Sequence, residues 1–67
     1  MTYTELQLAD KQYREELDIL DELIKKWRTY LRNDNVRSAR RLLLQIHNQN
    51  NHCIALLTRL TNLLTSR

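Results

Sequence analysis

The sequence predicts an all-α protein, an antiparallel hairpin of two helices packed in the manner of a coiled coil. Three observations carry this reading. Apolar residues recur at alternating steps of three and four through most of the chain, Asn33-Asp34-Asn35 interrupts them near the middle, and the 67 residues include no Gly and no Pro. Without Gly or Pro, tight strand turns and Gly-rich phosphate loops lose their usual source. A chain of this length has room for one small domain. The expected layout is a single helical hairpin over 1–67, with helix 1 at about 4–32, a turn at 33–35 and helix 2 at about 36–65.

Helix 1 opens where Thr2-Tyr3-Thr4-Glu5 and Thr4-Glu5-Leu6-Gln7 have capping-box spacing, a hydroxyl followed by a carboxylate or amide that together satisfy free backbone donors. From there Leu6, Ala9, Tyr13, Leu17, Leu20, Ile24, Trp27 and Leu31 fall on one continuous face. Asn33-Asp34-Asn35 ends it, because these side chains compete for nearby backbone groups and Asn tolerates a left-handed conformation.

Asp34 or Asn35 can cap helix 2, whose expected seam is Val36, Ala39, Leu43, Ile46, Cys53, Leu57, Leu60 and Leu64, broken only by Asn50. The short connection makes the two helices antiparallel neighbours.

More apolar surface is present than this seam uses. Leu42, Leu56 and Leu63 form a second stripe on helix 2 with Gln49 in series, flanked by Ile54, and helix 1 adds Leu23 and Tyr30, with weaker contributions from Leu8 and Ile19. A two-stranded seam needs about two positions in seven, and three or more imply a helix contacted from two directions. Leu23, Tyr30, Leu42, Ile54, Leu56 and Leu63 are therefore the expected partner-binding residues. A homodimeric four-helix bundle and a heteromeric docking face would both cover them, and periodicity leaves the two open.

Mid-helix, His47-Asn48-Gln49-Asn50-Asn51-His52 is a polar belt of poorer helix formers. Asn50, opposite Glu16, Leu17 or Asp18, would either form a polar layer that fixes register or sit solvated at the edge of the seam. Charge is segregated as well. Acids occupy the first two thirds of helix 1, whereas Lys25, Lys26, Arg28, Arg32, Arg37, Arg40 and Arg41 surround the turn.

Asp21 with Lys25, and Glu22 with Lys26, are ordinary favourable helix pairs. Arg37, Arg40 and Arg41 instead lie where cations oppose the dipole of helix 2. They mark a candidate contact for an acidic partner or nucleic acid. The modest net charge of +3 and the absence of a base-reading motif favour a solvated face or an acidic partner over nucleic acid.

No catalytic, cofactor or metal constellation emerges. His47, His52 and Cys53 are not spaced to bring three ligands to one helical face. Cys53 on the seam reads as a small core residue, and a hairpin offers no concave pocket in which a carboxylate could be tuned for catalysis. A binding protein is expected, not an enzyme. The single cysteine, the lack of an export-like amino end and apolar runs no longer than Leu42–Leu44 and Ile54–Leu57 fit a cytoplasmic chain that does not insert into membranes.

The helix-turn-helix layout, the length and the run Ile54-Ala55-Leu56-Leu57-Thr58-Arg59-Leu60-Thr61-Asn62-Leu63-Leu64 resemble the small co-chaperones of type III secretion needle subunits. That resemblance implies a heterodimer in which a short antiparallel hairpin pairs with a larger helical-repeat chaperone. The pair holds the needle subunit soluble and unpolymerised in the bacterial cytoplasm.

Carried over by position, it implies that Leu42, Leu56 and Leu63 meet the repeat chaperone. The family often has Gly in its turn and an aromatic early in helix 2, where this chain has Asn33-Asp34-Asn35 and Leu42–Leu44. The alternative is a self-associating four-helix-bundle homodimer that binds RNA or DNA through the basic turn region.

Overall fold

The computed structural model describes residues 3–65. Two helices, α1 (Tyr3–Arg32) and α2 (Val36–Thr65), lie side by side as an antiparallel hairpin. Its backbone measures 50 × 14 × 11 Å. The Thr2 capping position lies outside the described residues. The Thr4 position of the second capping box lies within α1, one residue past its start.

The turn follows from three polar residues. Asp34 takes the left-handed conformation at φ 58. The Asp34 N–H donates to the Leu31 carbonyl at 3.1 Å and the Asn35 N–H to the Tyr30 carbonyl at 2.8 Å. These are the two bonds of a Schellman termination, a place usually given to Gly. Asn35 then caps α2, its Oδ1 accepting from the Ser38 N–H at 3.3 Å. One residue ends a helix and the next starts one, so the reversal is tight and both helices keep their full length.

With Ala39 at heptad position a, the inward residues of α2 are Ala39, Leu42, Ile46, Gln49, Cys53, Leu56, Leu60 and Leu63, an unbroken a/d series. Leu42, Cys53, Leu56 and Leu60 are buried. On α1 the matching series is Leu6, Ala9, Tyr13, Glu16, Leu20, Leu23, Trp27 and Tyr30, buried at Ala9 and half-buried elsewhere.

This corrects the expected arrangement on α2. Leu42, Leu56 and Leu63 are the d row of the seam and not an outward stripe, while Val36, Leu43, Leu57 and Leu64 lie about half exposed at position e.

A polar pair fixes that rotation. The Gln49 amide donates to the Glu16 backbone carbonyl at 2.9 Å and to Glu16 Oε2 at 2.7 Å. His52 Nε2 lies 3.5 Å from Glu16 Oε1, a contact that is ionic when the imidazole is protonated. With the d row inward, the half-buried Gln49 amide is paired, while Asn50 on the e row stays in solvent. The register layer therefore exists, but Gln49 supplies it, and Asn50 is exposed.

Candidate docking surface

In an antiparallel pair the e positions of both helices flank the same side of the seam. On α1 that row is Tyr3, Asp10, Leu17, Ile24 and Leu31; on α2 it is Val36, Leu43, Asn50, Leu57 and Leu64. At the open end, Tyr3, Leu6, Asp10, Leu57, Leu60 and Leu64 line one groove, which shows the two rows converging.

The face is apolar and wet. Val36 is 49 % exposed, Leu43 45 %, Leu57 47 % and Leu64 53 %, and across the groove Leu31 is 47 % exposed. Ile54, on the adjoining b position, continues the surface outward at 53 %. The opposite flank carries Gln12, Lys26, Gln45, His52 and Arg59, with Ile19 its one large exposed apolar residue. Leu8 and Leu44 stand singly elsewhere, which is ordinary for a surface.

The expected partner-binding residues thus divide. Leu42 and Leu56 are buried between the helices, and Leu23, Tyr30 and Leu63 are half-buried in the same seam. Among the six, Ile54 belongs to the exposed face. The residues that take the others' place are ones the periodicity puts on the seam: Leu17, Leu31, Val36, Leu43, Leu57 and Leu64, with Ile24 half-buried in the same row. The excess is real, and it lies one position further round.

Arg37, Arg40 and Arg41 are exposed at the tip. With Lys26, Arg28 and Arg32 they make no ion pair among the described residues, whereas Lys25 lies 3.1 Å from Asp21 and 3.6 Å from Glu22. The hydrogen bond to Asp21, helped by both acid charges, raises the Lys25 ammonium above its ordinary range. Asp10 holds Arg14 at 3.2 Å. From Lys25 to Arg41 seven cations face one acid, Asp34, while from Tyr3 to Glu22 seven acids face Lys11 and Arg14. The hairpin is an electric dipole along its length.

Cys53 is buried. Burial, and then the Glu16 charge, push its thiol up, outweighing the Gln49 amide 4.0 Å from Sγ. A raised thiol is a poor nucleophile. His47 contacts Asn51 at 3.4 Å along its own helix. No group of three potential metal ligands converges among the described residues, and no described helix is long and apolar enough to cross a membrane. No protein-family model, curated protein or solved structure matches the chain.

Proposed function

We propose that this chain is a non-enzymatic protein-binding subunit that works by laying its e-row face against a helical partner. One observation carries the reading: a face that is apolar at eight of its ten e positions, interrupted at Asp10 and Asn50, runs the length of the hairpin on one side of the seam. A unit of this size holds only a few kcal/mol of its own. Covering side chains that are already about half-buried adds roughly 1 kcal/mol each, so a partner contributes stability comparable with the fold's own. Such a subunit and its partner would stabilise each other.

The resemblance to needle-subunit co-chaperones gives this reading its particular form, a cytoplasmic hairpin paired with a helical-repeat chaperone. The contact would then run through Leu43, Leu57 and Leu64, not through Leu42, Leu56 and Leu63. The test is co-expression with the products of its neighbouring genes, among which this reading expects a helical-repeat chaperone and a needle subunit. A stoichiometric complex should form, and Leu57→Asp with Leu64→Asp should abolish it while the chain alone stays helical by circular dichroism. A complex that survives both substitutions would refute the reading.

A second reading rests on six cations around the turn that make no ion pair among the described residues and suit an acidic protein surface or a nucleic-acid backbone. Retention on heparin that falls steeply with salt, and is lost in Arg37→Ala/Arg40→Ala/Arg41→Ala, would support it. Absence of retention at low salt would end it.

A further inference from the structure

We infer that, before a partner arrives, the e-row face is occupied by a second copy of this chain, stacked face to face with the tip of each hairpin over the open end of the other. This rests on the reading of that face as a docking surface and adds its occupant and orientation. The first argument is area. A face 50 Å long and roughly 16 Å wide, as for two helices at 8–10 Å separation, offers about 800 Å², the share each partner gives to an interface of standard size.

The second argument is charge. A two-fold axis across the hairpin sets α1 against α1 of the second copy, running oppositely, and lays the basic end of α1 over the acidic end of the same helix in the second copy, while α2, which carries no acid, meets α2. Centred near Leu17, this arrangement brings Arg14 of each copy level with Asp21 of the other. Both are b positions and share the rim of the face. It also brings Arg28 within about one helical turn of Asp10 in the second copy.

The other two-fold stacking sets tip beside tip, with Arg28 and Arg40 of one copy near Arg40 and Arg28 of the other, and repels. Charge thus chooses between two arrangements that apolar contact alone would leave equal. Because partner and second copy need the same face, they exclude one another, and partner binding must dissociate the homodimer.

The test is the solution mass of the full chain alone over a range of concentrations, by sedimentation at low salt. The mass should rise from 8.1 kDa to twice that value. Arg14→Asp and Asp21→Arg, taken singly, should each weaken association by roughly tenfold, since each change is counted twice in a symmetric dimer of rim charges. Combining them should restore association to within about threefold of the parent.

Independently of these charges, Leu17→Cys in a Cys53→Ala background should form an interchain disulfide on mild oxidation, and Leu31→Cys should not. A chain that is helical but 8.1 kDa at every concentration overturns the inference. So does a dimer that cross-links at Leu31→Cys and not at Leu17→Cys, or a charge swap that fails to restore association. A monomer that still forms a partner complex sensitive to Leu57→Asp and Leu64→Asp would leave the docking reading standing and remove only the second copy.

Discussion

Two adjacent leucines should differ sharply in what their truncation costs. Leu42 is 4 % exposed and Leu43 is 45 % exposed, and truncation of each to Ala removes the same three carbons. At about 0.8 kcal/mol per buried methylene, complete withdrawal of those carbons from water is worth about 2.4 kcal/mol. Leu42→Ala forfeits nearly all of this and leaves a gap between the helices, so a loss of about 3 kcal/mol is expected, inside the usual range for buried leucines.

Leu43→Ala forfeits about half and opens no cavity, for about 1 kcal/mol. Against the few kcal/mol available to a domain of this size, the first change brings the hairpin close to its unfolding midpoint and the second leaves it folded. Urea titration followed by far-ultraviolet circular dichroism measures both. It should be run at the lowest workable concentration, where self-association adds nothing to the Leu43 result. Equal losses, or a larger loss at Leu43, would show that α2 is rotated from the arrangement described and that the exposed face has been placed on the wrong row.

Asp34→Gly should stabilise the hairpin by about 0.5–1 kcal/mol in the same titration, because Asp34 carries the left-handed φ of the turn and Gly adopts it without a Cβ clash. Asn35→Ala should cost about 1 kcal/mol by removing the acceptor for the Ser38 N–H.

Trp27 Nε1 is a buried donor without an acceptor among the described residues. Trp27→Phe, which deletes that donor along with some apolar area, should therefore change stability by less than about 1 kcal/mol, against about 3–5 for Trp27→Ala. The Cys53 thiol is raised above its ordinary value of 9.0, so above that pH the unfolded chain releases its thiol proton while the folded chain keeps it. Stability linked to Cys53 is then present below pH 9 and declines as pH rises through and beyond it. Thermal melts of the parent chain and Cys53→Ala should converge with rising alkalinity, and parallel curves would refute the linkage.

The hairpin was legible in the sequence because its signals are redundant. Eight apolar positions on α1, one Asn-Asp-Asn interruption and an absence of helix breakers all select the same fold, and an error at any one residue leaves the others in force. Capping was legible to within a residue: Asn35 and Asp34 were the candidates, and the structure uses both, one as the cap and the other as the left-handed residue. The basic tip was legible too, since charge near a turn needs no packing to bring it together.

The row of α2 that faces inward was not legible from periodicity, and the reason is physical. Ala39, Ile46, Cys53 and Leu60 belong to either seam. Leu42, Leu56 and Leu63 can join them at steps of three then four, or Leu43, Leu57 and Leu64 at steps of four then three, and each choice leaves one polar residue in its row, Gln49 or Asn50. Counting apolar side chains gives a near-tie, with the e row one ahead through Val36.

The opposing helix breaks it. On the d row Gln49 meets Glu16, which accepts from its amide twice, whereas on the e row Asn50 meets a row represented there by Leu17. A half-buried amide that keeps its partners loses little on leaving water, so this layer favours the arrangement in which the d-row leucines of α2 point inward. The consequence reaches the surface. Because Gln49 and Glu16 pair across the d row, Val36, Leu43, Leu57 and Leu64 are left at the edge, and the exposed apolar face owes its position to a polar contact in the seam as much as to its own residues.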